Sequence, residues 1–561
     1  MVVSMKFNMS HAYSRRLQTA VTAALVCGMI AMGGSDCLAA SGDGAYSGTD
    51  VEANRIRRDM EQERIRQRIE EGRRPSEVEG VDQKPTEGEG SELKFTLKAV
   101  ETSKSEVLSE EDLQRVKEPY LNKEVSVKDL YQLVEDINKL YSDRGYLTCK
   151  AFLEAQTIKD GVVRITLLEG KTGNVELKGN NSTSESYLRH RIHLKEGEIA
   201  DINRLNKDLL RFNSTNDMQL RIAIKAGEKV GTTDYVLTAV EPQRSTVGIF
   251  SDNAGSVNNG RYRYGAWWQY RSLTGRRDRL FLSSRFSEGT KSGSLYYVTP
   301  LSPAGDKFSF SYSANSVKNT DGPLEPLDVK GHSRSFRVDY THPILTTERI
   351  RSEWGIGYDD LHSATSFSGI PWVNDRVRAA DIYVDQINYG NSYVFYQKHA
   401  GRFGKYKDVL GDKSNFGKYV LNTLYQKAWK HGQQLTFRMD GQISSTNYLP
   451  SAEMYYIGGM LSVRGYHESL LGGDSGMSAS VEYELPLAVK GLEGYVFLDG
   501  GYVWGDSAFG DRRLLGTGLG LKYNIKKHAM FNVGLGFPLI RRINDIDQSR
   551  MLVHFSFNGQ F

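Results

Sequence analysis

Two short stretches of this sequence carry groups that could form a strong polar contact. One is Val463-Arg464-Gly465-Tyr466 and the other is Phe497-Leu498-Asp499-Gly500-Gly501. A guanidinium and a carboxylate can share two parallel hydrogen bonds, so Arg464 and Asp499 form a candidate charge-assisted pair. Around Asp499, the residues Val496 and Leu498 alternate with Tyr495, Phe497 and Asp499, the period-two pattern of a strand. If Val496 and Leu498 face lipid, then Phe497, Asp499 and Gly501 face an enclosed lumen. Glu482 and Glu484 alternate in the same sense within residues 479–485 and are rival partners for Arg464. Gly458, Gly459 and Gly465 allow the segment that carries Arg464 to fold back as a tight hairpin. The pair would fix that segment across the lumen, a conformational and not a catalytic use, and in a wet lumen it is expected to add about 1 kcal/mol.

No catalytic constellation is recognisable. The 11 His are scattered without ligand spacing, and no serine sits in a recognisable nucleophile elbow. Gly516-Thr517-Gly518-Leu519-Gly520 mimics part of a dinucleotide loop but has no helix after it. The expectation is therefore no enzyme, no catalytic or metal-binding residue and no cofactor. A formal net charge of +4 on 561 residues is too small for the concentrated basic face of a nucleic-acid binder.

The elements that would position the pair are strands. From about residue 246 helical periodicity gives way to alternation. Phe308, Phe310, Tyr312 and Ala314 alternate with Ser309, Ser311 and Ser313, and Ala479, Val481, Tyr483 and Leu485 alternate with Ser478, Ser480, Glu482 and Glu484. One face suits lipid and the other a polar lumen, which predicts a transmembrane antiparallel β-barrel. Tight turns at 303–306, 345–348, 430–432 and 488–491, with Pro300, Pro343 and Pro486 at strand ends, space the strands. Residues 246–561 at roughly 40 per hairpin give about sixteen strands. Residues 444–476, between the eleventh and twelfth strands, form the loop expected to fold inward. The chain ends in a strand with Met551, Val553, Phe555, Phe557, Gly559 and Phe561 on one face. A terminal strand ending in Phe resembles an outer-membrane assembly signal, carried here by Phe555, Phe557 and Phe561, and implies contact with the barrel assembly machinery and with outer-membrane lipid.

The N-terminal half is of another kind. Residues 1–39 have the layout of a secretory signal peptide: Arg15 and Arg16, an apolar run too short to span a bilayer, and Cys37-Leu38-Ala39. Loss of that segment leaves Cys149 alone, hence no internal disulfide. Residues 50–74 form a charged helix with a thin apolar stripe of Ile56, Met60, Ile65 and Ile69, which suits a wet cavity better than a packed core. Residues 75–90, rich in Gly, Glu and Pro, read as a flexible linker. Two α/β units follow, at 91–171 and 172–245, each in the order strand, helix, helix, strand, strand. Ser109 with Asp112, and Ser126 with Asp129, form capping boxes that start the first unit's helices. Both units are expected to bind protein by adding a strand to an open sheet edge.

Taken together the motifs resemble the VRGY/F loop and F-x-D-x-G strand of the outer-membrane assembly and secretion superfamily. Two soluble units before about sixteen strands resemble the two-partner secretion transporters, the TpsB family, of the haemolysin secretion/activation type. Tyr141-Ser142-Asp143-Arg144-Gly145-Tyr146, Gln156, Asp160-Gly161 and Leu168-Glu169-Gly170 resemble that family's first POTRA domain. Asp252-Asn253-Ala254-Gly255 resembles its first barrel strand and loop. The resemblance implies an outer-membrane protein with two periplasmic POTRA domains and a helix that plugs the pore. It also implies export of one partner exoprotein, a haemolysin, adhesin or contact-inhibition toxin, which the POTRA domains bind. One departure is Asn213-Ser214-Thr215, where the second POTRA domain often has Pro. The alternatives are a barrel assembly factor, which usually carries more POTRA units, and a passive porin, which would not need two folded periplasmic domains.

Overall fold

The computed structural model describes residues 48–71, 78–79 and 94–561 except 323–324, 409–410, 509 and 527. The expected signal peptide lies outside the described residues, as does most of 75–90.

The first α/β unit is a three-stranded sheet in which Ala99–Thr102 runs parallel to Val162–Glu169 and Cys149–Phe152 antiparallel to it. Its helices, Glu110–Lys117 and Val127–Asp143, both begin with the anticipated capping box. In each, the Ser side chain accepts from the backbone N–H three residues on, and the Asp carboxylate accepts in return from the Ser backbone N–H, worth about 1 kcal/mol. The second helix buries Leu130, Leu133, Val134, Ile137 and Tyr141, its apolar stripe, against the sheet. Sequence reading missed a small ladder between Lys94–Leu97 and Lys123–Ser126, because Lys-Glu-Val-Ser carries almost no alternation. Cys149 is buried in this core. Burial, with the Glu169 carboxylate nearby, pushes its thiol up to about 12, so it is inert at neutral pH.

The second unit packs Glu185–Arg189 and Ile202–Thr215 on Lys171–Lys178, Gln219–Ala226 and Thr232–Val240. Asn213, at the departure from the family pattern, is buried. Its amide donates to Leu220 O at 3.0 Å and accepts from Leu220 N–H at 2.7 Å, tying the helix end to the next strand. Within the segment read as a linker, Val78–Glu79 pairs in parallel with Ile222 and Ala223. That part of it is a strand on the sheet edge; a two-residue backbone pairing leaves no pattern in a Gly- and Glu-rich sequence. The first unit's edge is also partly occupied, since the Asn138 side chain accepts from Ala151 N–H at 2.7 Å and lies 3.4 Å from Ala151 O. One edge of each sheet is thus partly covered, while the opposite edge strands, Ala99–Thr102 and Lys171–Lys178, pair with no further strand among the described residues.

Sixteen antiparallel strands then close into a barrel. The first, Ser245–Asp252, pairs with the second, Arg263–Arg271, and with the last, Leu552–Gln560. Turns on the side of the α/β units are short, and the second unit docks on one of them. There Arg277 donates to Asp217 at 2.7 Å, and the Ser272 hydroxyl donates to Ser182 O at 2.7 Å. The opposite end carries the longer loops. Val496 and Leu498 are about half exposed on the outer wall, whereas Tyr495, Phe497 and Asp499 are buried inside, which is the alternation a lipid-spanning strand requires.

A helix, Gly48–Glu71, occupies the lumen. Gly48 lies beside Asn259 at the long-loop end, and Arg68 and Ile69 lie beside Tyr389 at the short-turn end. Its apolar stripe, though thin, does dock. Ile65 and Ile69 pack on Ile387, Val394 and Tyr396, and Val51 and Ala53 join a cluster around Leu361 and Tyr456.

Candidate functional site

The 444–476 segment folds into the barrel. Tyr455–Ile457 and Leu471–Gly473 pair as a short antiparallel ladder, and the chain between them turns back at Gly458, Gly459 and Gly465, all with positive φ. Val463 and Tyr466 are fully buried with Val503, Ala508, Leu514 and Ile543, so the tip has an apolar core of its own.

Arg464 and Asp499 meet as anticipated. Arg464 Nε donates to Asp499 Oδ2 at 2.7 Å and Nη2 to Oδ1 at 2.9 Å, and the Arg464 backbone N–H adds a third bond to Oδ2 at 3.0 Å. The Ser480 hydroxyl donates to Asp499 at 2.7 Å. The guanidinium lies over the Phe497 ring, 3.5 Å from its centroid, so the strand motif supplies a carboxylate and a π-face together. Asp499 is fully buried and the Arg464 side chain 15% exposed. The pair is therefore more buried than the wet, weak contact expected: the loop's own apolar core and the barrel wall cover Asp499 completely. Of the two rivals, Glu482 is a joint partner, bonded to Arg464 Nη1. Glu484 is not a partner of Arg464. Lys522, on the fourteenth strand (Arg513–Ile525), takes it at 2.6 Å and also bridges to Glu482 at 2.6 Å.

The rest of the motif fits by shape. A Cβ on Gly501 would stand 3.0 Å from Val463 and 3.2 Å from Ile457, so that glycine makes room for the tip. Gly516, set aside as a small residue in a strand, faces Arg464 O, 2.1 Å from where a Cβ would sit. A Cβ on Gly536 would stand 2.5 Å from Gly465 N. The Gly465 N–H is bonded to His554 Nε2 at 3.1 Å. The Tyr466 hydroxyl lies 2.8 Å from Leu515 O and 2.9 Å from Ile540 O, and accepts from Ile540 N–H at 3.1 Å. Phe555 and Phe557 face outward on the last strand, Phe557 with its ring centroid 4.6 Å from that of Phe531. Phe561 pairs with Val247 through both backbone groups, at 2.8 and 3.1 Å, where the barrel closes.

A second node was not anticipated. Glu453, at the base of the loop, is fully buried among Arg57 of the lumen helix at 3.0 Å, Arg402 at 2.8 Å and Lys418 at 2.7 Å. Arg402 also holds Asp359 and Asp381, as does Arg337. Beside it, Asn54 donates to Ala452 O and Met454 O, both at 3.2 Å, and Arg58 to Tyr456 O at 3.1 Å. Farther along the helix, Asp59 meets Arg285 at 2.6 Å, Glu61 meets Lys398 at 2.7 Å, and Arg68 meets Glu353 at 2.8 Å and Asp385.

A barrel filled by a helix and an inward loop, preceded by two α/β units, matches known proteins. The family model described as haemolysin secretion/activation protein ShlB/FhaC/HecB matches residues 231–523, more than half of the chain. The chain belongs to this family. A second model, the ShlB-type POTRA domain, matches residues 95–170, the first α/β unit. The heme/hemopexin transporter protein HuxB of Haemophilus influenzae strain 86-028NP is 24% identical over 82% of this chain and 86% of its own length. The outer membrane transporter CdiB of Dickeya dadantii is 24% identical over 68% of this chain and 71% of its own. Among solved structures, CdiB from Escherichia coli superposes with a TM-score of 0.67 at 18% identity, covering 94% of this chain and all of that one. This ShlB/FhaC/HecB-family chain is thus an outer-membrane transporter of the two-partner secretion type. Its POTRA domains lie on the periplasmic side, where the short turns are.

Proposed function

We propose that the chain exports a single large exoprotein, of the haemolysin, adhesin or contact-inhibition class, through the barrel lumen. The cargo first meets the POTRA domains. The lumen helix plugs the resting pore, and the loop tip, fixed by Arg464 and Asp499, shapes the path along one wall. The observation that carries this reading is the lumen filling. A closed barrel is occupied by a separate helix held by side-chain ion pairs and hydrogen bonds, a filling that can move without breaking the barrel's backbone ladder. Haem-, haemolysin- and CdiB-type transporters among the relatives support the cargo class.

The first contact includes an exposed face of the first POTRA sheet. Phe152 and Leu168 are both exposed on the outer face of the first POTRA sheet, diagonal neighbours two residues apart in register. Changing both to Glu in the full-length protein should leave the barrel folded, abolish capture of the exoprotein's N-terminal domain and stop its secretion. Undiminished capture by that variant would place cargo recognition elsewhere. General loss of other outer-membrane barrels on depletion of the chain would favour an assembly factor instead.

A further inference from the structure

The outer wall carries a row of basic side chains opposite one another, four cations and one histidine, with no acid among them. The sixth to tenth barrel strands are Lys330–Thr346, Ile350–Phe367, Ile370–Tyr389, Tyr393–Lys407 and Lys413–Ala428. Across their ladders Arg334 stands opposite His362, His362 opposite Arg376, Arg376 opposite Lys407 and Lys407 opposite Lys413. The two Arg and two Lys are exposed and His362 is half-buried. One row nearer the periplasm, Asp360 stands opposite Arg378, and Arg378 opposite Lys405. Asp360 is already shared between Arg376, at 2.7 and 2.9 Å, and Arg378, at 3.1 Å. Among the described residues no ion pair joins Arg334, Lys407 or Lys413 to an acid. On the adjoining loop, the Asp408 carboxylate accepts from Asp412 N–H at 2.9 Å.

Like charges directly opposite on neighbouring strands repel, so Arg376 against Lys407 and Lys407 against Lys413 weaken the sheet, and Asp360 offsets this only at Arg376. The row's height identifies the anion that would sit against it. The same outer face continues toward the periplasm with exposed Tyr358, Ile356, Ile382 and Phe403, the apolar wall that meets hydrocarbon. The row lies four residues above the nearest of those side chains, Tyr358 and Phe403, about 14 Å along the tilted strands, on the long-loop end of the barrel. That is headgroup level in the outer leaflet. Five neighbouring strands at about 4.8 Å spread the side chains over about 20 Å, enough for more than one phosphate.

We propose that this face binds the phosphate groups of an outer-leaflet lipid headgroup, with the acyl chains lying on the apolar wall below. The site lies on the outer side of the barrel wall, off the cargo route. It would fix the azimuth at which the barrel meets its lipid and supply an anion to Arg334, Lys407 and Lys413, which no ion pair neutralises among the described residues.

The test uses the full-length protein purified in detergent. Native mass spectrometry would compare phosphorylated lipid A, the same lipid enzymatically dephosphorylated, and inorganic phosphate alone. The expected result is binding of the phosphorylated lipid, little binding of the dephosphorylated form, and no displacement by phosphate at matched concentration. The combined change Arg334→Gln, Lys407→Gln and Lys413→Gln should weaken lipid binding by roughly tenfold or more, while Lys407→Arg with Lys413→Arg retains it. Heat-modifiable migration on gels reports that each variant is a folded barrel. If the triple variant does not fold, the comparison of the two lipids on the unaltered protein decides. Equal binding of both lipids, or unaltered binding by a folded triple variant, would overturn the proposal. Displacement by free phosphate would make the row a phosphate site rather than a lipid one.

Discussion

The loop tip and the lumen helix fill the same barrel, yet they are held in different ways. The tip is seated by shape. Val463 and Tyr466 are fully buried, Gly501, Gly516 and Gly536 clear its path, and Arg464 forms a bidentate pair with an inaccessible carboxylate. The helix is held mostly by side chains reaching across to the wall, with small apolar contacts toward its two ends. The Glu453 node makes the contrast explicit. Of its three cations only Arg57, 31% exposed, belongs to the helix; Arg402 and Lys418 belong to the wall and stay if the helix leaves. The loop base therefore keeps its carboxylate neutralised without the helix, whereas the tip cannot lose Arg464 without stranding Asp499. If the helix leaves during export, as proposed, and the tip stays, the two are expected to differ in this way.

The largest effect is expected at the tip. Arg464→Ala leaves a buried carboxylate without its guanidinium, a loss of about 3–5 kcal/mol in local stability. A barrel joined by continuous ladders should survive this, so the variant should reach the membrane with a loosened loop and fail to secrete. Immunoblots of membranes and culture medium would read both quantities, and normal secretion would break the contrast drawn above.

A smaller effect is expected from the seat. Gly516→Ala puts a methyl group 2.1 Å from Arg464 O and should cost about 1–3 kcal/mol as overpacking. Limited proteolysis of the loop in detergent would show the tip displaced. If Gly516→Ala and the unaltered protein are cut at equal rates, the seat is looser than described.

The smallest effect lies outside the membrane, at a helix cap. The Ser109 hydroxyl and the Arg144 guanidinium hold the Asp112 carboxyl down to about 2. A depressed carboxylate stabilises the fold fully above its ordinary value near 3.8 and loses that contribution as pH falls through about 2. Asp112→Asn should therefore lower the POTRA melting transition at pH 7, and the difference from the unaltered protein should shrink between pH 4 and pH 2. A difference independent of pH would mean that the capping geometry, and not its charge, matters.

Much of this architecture was legible in the sequence because its signals are local. Alternation in residues 479–485 and around Asp499 places side chains on one wall or the other without knowledge of the partner strand. The capping boxes lie within four residues. The Arg464–Asp499 contact followed from a loop motif and a strand motif with one available lumen. What stayed hidden depends on register between distant segments. Glu484 goes to Lys522, across two ladders, instead of to Arg464. Arg57, Arg402, Lys418 and Glu453 come from four separate parts of the chain. Gly516 and Gly536 read as featureless until the tip that needs their space is placed beside them. Burial of the charged pair depends on the loop's own core, which no period in the sequence announces.

The plug is the claim on which the transport account rests, and channel conductance in planar bilayers tests it most directly. A variant lacking residues 50–74, which include most of the Gly48–Glu71 helix, should conduct several times more than the unaltered protein because its lumen opens while the loop tip remains seated. Equal conductance of the two would contradict it, and would mean that the inward loop, not the helix, closes the pore.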